Sequence, residues 1–179
     1  MKRVMLFALG FLLALTWTIS AQEEGRPEGY EFIVGPRVGA SYIFTTSDEF
    51  TETVRELYTS GDYLPFYTLF GINFEQRILL GDTRSHFAFQ ELVLVGGLEQ
   101  SIALPMGAVL IGYRDWSGFE IGLGPLVNLS GVGVVAAIGW TISSHGVYVP
   151  IDISVSLPNR DRPASVALTT GFNFKVERR

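Results

Sequence analysis

Seven stretches of this chain alternate an apolar residue with a small or polar residue at every second position. In the clearest of them, which runs from 147 to 157, every odd-numbered residue is aliphatic. The even-numbered residues of this stretch are Tyr148, Pro150, Asp152, Ser154 and Ser156. Successive side chains of an extended backbone leave on opposite faces, so a period of two predicts a β-strand with one aliphatic face.

The same pattern predicts about eight strands that are joined as hairpins. Their predicted bounds are 30–45, 64–79, 86–95, 102–114, 119–129, 132–142, 147–157 and 164–176. Bacterial outer-membrane barrels have an even number of strands, and eight is the smallest class. About ten residues are enough for a tilted strand to cross a bilayer. The orientation of the third and fourth strands stays open, because Glu91 shares a face with Phe89 and 102–114 is apolar on both faces.

The first 21 residues have the pattern of a secretory signal peptide. Lys2 and Arg3 precede an apolar run over 4–15, and Ile19-Ser20-Ala21 resembles a cleavage site. The apolar run is shorter than the roughly 20 residues of a membrane helix, which disfavours an uncleaved anchor. We therefore expect a signal peptide over 1–21, a tail over 22–28, a barrel over 29–176 and a short tail over 177–179.

The polar faces of the predicted strands carry few charges. Gly, Ser, Thr and Ala predominate there, while the charges gather at the N-terminus, at 47–62, in turns and at the C-terminus. The chain is 47% hydrophobic and 17% charged, with a mean hydropathy of +0.30. A soluble lipocalin-like barrel would turn its apolar face inward and present many charges to water. The pattern favours an all-β, eight-stranded antiparallel up-and-down transmembrane β-barrel, and a soluble periplasmic lipocalin-like binder is the alternative.

Aromatic residues cluster near both expected rims of the barrel, as they do at membrane interfaces. One group lies near the short turns 81–85, 115–118 and 143–146, and its members are Phe74, Tyr113, Trp116, Phe119, Trp140, Tyr148, Phe172 and Phe174. The other group lies near 46–63 and comprises Tyr42, Phe44, Tyr63, Phe66 and Tyr67. Short turns are periplasmic in outer-membrane barrels, so we expect 46–63 to lie outside the cell.

The last strand ends in a motif that is specific to one group of barrels. An assembly signal of the form polar-x-Gly-x-x-aromatic-x-hydrophobic is matched by Thr169, Gly171, Phe174 and Val176. With its strand pattern over 29–176, the chain resembles the small eight-stranded outer-membrane barrels of diderm bacteria, of the OmpX and OmpA-transmembrane-domain type. The resemblance implies an outer-membrane location, with the lipid bilayer and the outer-membrane assembly machinery as partners. It implies no single function, because members differ in activity.

Polar and charged residues are expected on the inner face of the barrel, namely Arg37, Asn73, Glu75, Arg77, Glu120, Asn128, Asp152 and Lys175. Eight strands leave an interior just wide enough for side chains to fill. Because an unpaired charge there is costly, we expect these groups to plug the lumen, with Arg37 bonded to one or more carboxylates. The interpretation predicts a structural or surface-interaction role in the cell envelope. The alternative is a porin-like narrow channel for small solutes, in which the pairs rearrange.

The segment 46–63 is the one part of the chain after the signal with helical periodicity. The positions i, i+4, i+7 and i+8 are apolar and correspond to Phe50, Val54, Leu57 and Tyr58. We expect a short helix at the external mouth of the barrel. It would act either as a packed cover or as a lid or partner-binding surface.

Several functional classes are disfavoured by the residues that the chain contains. There is no Cys, the two histidines (His86 and His145) fall near predicted turns, and no metal-ligand spacing occurs. We therefore expect no enzymatic activity, no cofactor and no metal. The formal net charge is −5, or −7 without Lys2 and Arg3, which argues against nucleic acid as a partner. We expect the barrel to be a monomer.

Overall fold

The structure is a computed structural model that describes residues 29–44, 64–81, 85–129, 131–158 and 163–176. The predicted signal peptide, both predicted tails and the predicted helix with Phe50, Val54, Leu57 and Tyr58 lie outside the described residues.

Nine β-strands follow one another along the described part of the chain. Their bounds are β1 Tyr30–Ile43, β2 Phe66–Leu79, β3 His86–Gly96, β4 Leu104–Arg114, β5 Phe119–Asn128, β6 Gly131–Ser144, β7 Val147–Ser156, β8 Ser165–Gly171 and β9 Asn173–Lys175. β8 and β9 are two parts of one strand that is interrupted at Phe172, since both pair with β1 and with β7. A short 3₁₀ helix, Leu98–Gln100, lies between β3 and β4.

The strands close into a barrel in which each neighbouring pair is antiparallel. β1 pairs with β2 on one side and with β8 and β9 on the other, which closes the sheet. A row of opposed residues that starts at Glu31 returns to β1 at Ser41, ten residues further along the strand. Such a stagger is what tilts the strands of a closed barrel. The all-β, eight-stranded antiparallel up-and-down barrel that the alternation predicts is therefore confirmed.

The two ends of the barrel differ in their connections. At the end that we call the turn end, β4 joins β5 through 115–118 and β6 joins β7 through His145 and Gly146. These two residues have φ values of 49° and 80°, as a two-residue hairpin turn requires. The opposite end, which we call the loop end, is where β1, β3, β5 and β7 end and where β2, β4, β6 and β8 begin.

Apolar side chains cover the outside of the barrel, and most of the charged side chains in its wall are buried inside it. Ile111 is 66% exposed and Leu123 is 57% exposed, whereas Glu75 is 0% and Arg37 is 2% exposed. Charged residues avoid an interior unless they are paired, so this is the reverse of a water-soluble domain. No helix among the described residues is long and apolar enough to cross a membrane.

The structure resolves the orientation of β3 and β4, which the pattern leaves open. Phe87 and Phe89 point outward, while His86, Ala88 and Arg114 are buried inside the barrel. Glu91 occupies an outward position between Phe89 and Val93, and it is nevertheless only 8% exposed.

Two of the aromatic residues assigned to the rims lie inside the barrel instead. Tyr67 is buried at the loop end, and the ring of Tyr148 lies against the Arg77 guanidinium inside the lumen. Their strand parity puts them among the inward residues, so they do not belong to an outer belt. Outer aromatic pairs do form near the turn end, with ring centroids 5.8 Å apart in Phe87–Tyr113 and 6.1 Å apart in Phe119–Trp140.

Candidate functional site: the barrel lumen

Strand register collects charged residues that are far apart in the chain. One row of directly opposed residues crosses from β3 to β8 and consists of His86, Arg114, Glu120, Gly139, Asp152 and Thr169. All of these positions have inward parity, so the side chains of His86, Arg114, Glu120 and Asp152 lie in the lumen, and Thr169 at the end of the row lines a cavity nearer the opposite end. The adjacent row holds Arg77 followed by Ala88, Gly112, Gly122 and Ala137. These small residues leave the space that the long charged side chains occupy.

Glu75 is the centre of the ionic network. Its Oε1 accepts hydrogen bonds from Arg77 Nε at 2.6 Å and from Arg114 Nη1 at 3.0 Å. Its Oε2 accepts hydrogen bonds from Gln90 Nε2 at 3.2 Å and from Arg114 Nη2 at 3.4 Å. Three donors from β2, β3 and β4 therefore converge on one fully buried carboxylate, and such charge-assisted bonds are stronger than neutral ones.

Arg114 joins Glu75 to a second carboxylate. Its Nε donates to Glu120 Oε2 at 3.0 Å, and its Nη2 contacts the same oxygen. The other oxygen of Glu120 accepts a hydrogen bond from Thr141 Oγ1 at 2.6 Å. One guanidinium thus bridges two glutamates, which compensates for the cost of removing all three groups from water.

A second ion pair links β1 to β7 across the interior. Arg37 Nη1 lies 3.2 Å from Asp152 Oδ2, which is the kind of pairing that their shared face predicts. Gly139 is required beside it, because a Cβ at this position would lie 2.0 Å from Asp152 Oδ1. The absence of a side chain at residue 139 therefore lets the Asp152 carboxylate lie against β6, toward Glu120.

The mouth of the lumen at the turn end is also occupied by charged groups. The Arg77 guanidinium carbon lies 4.1 Å from the centre of the Tyr148 ring, within the range of a cation–π interaction. Lys175 Nζ donates to Glu31 Oε1 at 2.9 Å, and Arg77 lies 3.9 Å from the other oxygen of Glu31. We call Arg37, Glu75, Arg77, Arg114, Glu120 and Asp152 the charged plug. Its three cations and three anions balance.

The structure places the predicted lumen residues in four different positions. Arg37, Glu75, Arg77, Glu120 and Asp152 come together in the charged plug. Asn73 is fully buried next to them, two positions from Glu75 on the same face. Lys175 lies apart from the plug, at the mouth with Glu31. Asn128 lies nearer the loop end, where it lines a cavity.

Sequence reasoning missed Arg114, which contacts more of the plug than any predicted residue except Glu75. The reason is that β4 is apolar on both faces, so its inward face could not be chosen. The sequence did contain a signal for an inward Arg114. This residue lies on the same face of the strand as the small residue Gly112, directly before the turn at Asp115. His86, whose Nε2 lies 3.9 Å from Glu75 Oε1, was likewise assigned only to a turn.

The lumen toward the loop end is a cavity, which we call the upper chamber. It encloses about 760 Å3 of space between atoms, part of it open to solvent. One wall, from β2 to β5, is apolar and includes Leu69, Leu92, Leu94, Met106, Leu110 and Leu126. The opposite wall carries hydroxyl groups from Ser41, Ser154, Ser156, Ser165 and Thr169. Gln90 and Asp152 line the side that meets the charged plug.

The loop after β3 bonds to the part of β2 that extends beyond β3. Glu99 accepts a hydrogen bond from the Thr68 backbone N–H at 2.9 Å and contacts the Thr68 hydroxyl. Gln100 Nε2 donates to the Phe66 carbonyl at 2.8 Å. Desolvation alone would raise the pKa of Glu99, but the hydrogen bonds from Thr68 outweigh it and hold the pKa below its ordinary value. This loop therefore covers an otherwise unpaired strand edge with side chains.

Among the described residues, no group of three or more His, Asp or Glu side chains is arranged to hold a metal ion. The residues of the motif assigned to assembly lie on both faces of the last strand. Thr169 and Gly171 point inward, and Gly171 faces the Arg37 side chain, whereas Phe174 and Val176 are exposed outside.

No protein-family model matches the chain, and no curated protein matches it. Among solved structures, the chain is similar to one described as "De novo design of transmembrane beta-barrels". The two are 11% identical, with a TM-score of 0.41, and the match covers 84% of this chain and 98% of that chain. The barrel assigned to this chain rests on its own strand register.

Proposed function

We propose that this protein is a transmembrane β-barrel of a bacterial outer membrane, with a lumen closed by the charged plug. Its role would be structural or interactive, exerted through its outer surface and its external loops. The observation that carries the proposal is the reversal of faces, with paired charges inside the barrel and exposed aliphatic side chains outside.

The outer surface supports a lipid environment. Outward residues such as Ile111, Leu123 and Ile153 are about half exposed or more, and every strand of the wall carries at least one exposed apolar residue. A soluble monomer rarely exposes a contiguous apolar patch of more than a few hundred Å2. The strands β1 to β7 contain 10 to 14 residues each, enough to cross a bilayer at a tilt.

The charged plug supports a closed lumen rather than a channel. Arg114 bridges Glu75 and Glu120, and Arg37 pairs with Asp152, so side chains from β1, β2, β4, β5 and β7 meet across the interior. A narrow channel would require these pairs to separate and leave buried charges without partners. We therefore place the channel second.

The proposed outer-membrane location rests on two sequence features, the signal pattern and the motif in the last strand. The signal pattern over 1–21 would direct export, and the motif of Thr169, Gly171, Phe174 and Val176 would be read by the assembly machinery. The exposed side chains of Phe174 and Val176 are available for such a contact before insertion. We assign no catalytic role, since His86 lies in the lumen and His145 in a turn beside Ser144.

Two measurements test the proposal. After membrane fractionation, the protein should require detergent for extraction, and boiled and unboiled samples should migrate differently on a gel. If the protein is extracted without detergent and the two samples migrate equally on the gel, the protein is the soluble lipocalin-like binder instead.

The second measurement is single-channel recording in a planar bilayer. The native protein should show no conducting steps. The double variant Glu75→Ser with Arg114→Ser, which removes one charge of each sign from the plug, should show them. Steps of the same size from the native protein would establish the narrow channel instead.

A further inference from the structure

The two walls of the upper chamber differ in chemistry, and neither wall is charged. Leucines and Met106 line β2 to β5, and serines with Thr169 line β7, β8 and β1. The six residues of the charged plug close the chamber at the turn end. A ligand of this cavity would therefore meet an apolar wall on one side and hydroxyl groups on the other.

The apolar wall is built from two clusters of buried side chains. Ile43, Tyr67, Leu69, Ile102 and Leu104 form one cluster, and Ala108, Leu110 and Val135 form the other. Leu92, Leu94, Met106 and Leu126 pack against these clusters and face the cavity. Contact between these leucines and a hydrocarbon would remove apolar area from water, which favours binding.

The hydroxyl wall offers hydrogen bonds without net charge. Ser156 Oγ and Ser165 Oγ lie 2.6 Å apart, and Ser41 Oγ donates to the Val166 carbonyl at 3.2 Å. Each of these hydroxyl oxygens has two lone pairs as well as one proton, so it retains capacity for another partner. The carboxylate that lines the chamber belongs to Asp152, which is already paired with Arg37. The wall is therefore matched to a neutral polar group.

The size and position of the chamber suit a small molecule. About 80 Å3 of it can hold the centres of water-sized molecules, several times what a single water needs, so the chamber accommodates a thin, short-chained molecule. Because the plug fills the lumen near the turn end, a ligand would enter from the loop end.

We propose that the upper chamber binds an uncharged amphiphile. Its hydrocarbon part lies along Leu92, Leu94 and Leu126, and its hydroxyl or carbonyl head lies against Ser154, Ser156 and Ser165. The proposal goes beyond the proposed function and uses its closed lumen as the floor of the site.

The chain contains no Cys, so a single introduced thiol reports on the chamber alone. In Ala137→Cys the thiol would face the chamber, and Ala167→Cys is a second variant on the hydroxyl wall. Leu98→Cys, in the exposed loop at the same end, is the matched control. Each variant is reconstituted in phosphatidylcholine vesicles, and the rate of modification by a small polar thiol reagent is measured with and without 1-octanol.

The expected result is selective protection of the chamber. At about ten times its Kd, 1-octanol should slow modification of Ala137→Cys and Ala167→Cys about tenfold, and leave Leu98→Cys unchanged. The diol 1,8-octanediol should protect far less, because its second hydroxyl would be buried against the leucine wall without a partner.

Three results would overturn the proposal. These are no protection by 1-octanol, equal slowing of Leu98→Cys, or no reaction at both chamber positions in the absence of octanol. Each variant is also tested for the gel shift between boiled and unboiled samples. A variant that keeps the shift but shows no protection refutes the binding site and leaves the membrane barrel intact. Absence of the shift in the native protein would refute the membrane barrel of the proposed function.

Discussion

The two halves of the lumen are built from the same strands and the same alternation, yet they are chemically opposite. Near the turn end, Glu75, Arg114 and Glu120 fill the interior with directly bonded charges. Near the loop end, leucines and serines surround a cavity. The difference shows that alternation decides which residues face inward, while register decides which of them meet.

The two halves should also respond differently to substitution. In the charged plug each ion is desolvated and depends on its partner, so removal of one charge leaves another buried without compensation. In the upper chamber the hydroxyl groups are neutral, and they line a cavity. Small changes in side-chain size there should therefore have little effect on stability. The loss of stability on substitution should therefore be largest in the charged plug and smaller in the upper chamber.

The largest loss is expected for Glu75→Gln. This change keeps the shape of the side chain but leaves Arg77 and Arg114 without their shared anion, at a cost of about 3 to 5 kcal/mol. Urea titration of the reconstituted protein, followed by the gel shift, measures the free energy of unfolding. The double variant Glu75→Gln with Arg77→Gln should recover part of the loss, because Arg114 keeps its pairing with Glu120. A loss below about 1 kcal/mol in the single variant would mean that the plug behaves like an exposed ion pair.

Arg37→Met should cost less, about 2 to 3 kcal/mol, because it leaves the Asp152 carboxylate unpaired but 14% exposed. Adding Asp152→Asn removes the unpaired charge, so the double variant should be more stable than Arg37→Met alone. The same urea titration provides the comparison. Unchanged stability in Arg37→Met would show that Arg37 is not part of a shared ionic network.

In the upper chamber, Ser156→Ala should cost about 1 kcal/mol or less, since one neutral hydrogen bond to Ser165 is lost. Ser165→Ala should have the same effect, and the double variant should cost little more than either single change because both remove the same bond. A loss as large as that of Glu75→Gln would abolish the contrast between the two halves.

The smallest effect is expected outside the lumen, at the turn after β4. The Asp115 carboxylate accepts hydrogen bonds from the Ser117 hydroxyl at 2.7 Å and from the Ser117 and Phe119 backbone N–H groups. The hydrogen bond from the Ser117 side chain is the main cause that holds the pKa of Asp115 below its ordinary value of 3.8. The stabilisation is therefore complete above pH 3.8 and is lost as the pH falls through the lower pKa of the folded state.

Amide hydrogen exchange at Ser117 and Phe119 measures this local effect. In the native protein the protection of both amides should fall as the pH is lowered below 3.8, beyond the intrinsic change in exchange rate. Asp115→Asn should show no such dependence. Equal pH dependence in the two proteins would rule out the carboxylate as the cause.

Strand positions were predictable because alternation continues over ten or more residues. The predicted 119–129 corresponds to Phe119–Asn128, and the predicted 147–157 corresponds to Val147–Ser156. β3 and β4 were located almost as well, but which of their faces points inward was not predictable. Glu91 shares a face with apolar residues in β3, and β4 is apolar on both faces, so neither strand has one clearly polar face. That gap is why Arg114 was missed, although Glu75 and Glu120, its two partners, were predicted to face inward.

The amino-acid sequence by itself determined the strands, their number and the inward set of Arg37, Glu75, Arg77, Glu120 and Asp152, because side-chain direction in a strand depends only on parity. The tertiary structure decided which inward residues become neighbours. Closure with a ten-residue stagger puts His86, Arg114, Glu120 and Asp152 in one row and separates Asn128 from them. Parity is local to one strand, whereas register depends on how all the strands close, and that closure brings the charged side chains together in one half of the lumen and leaves a cavity in the other.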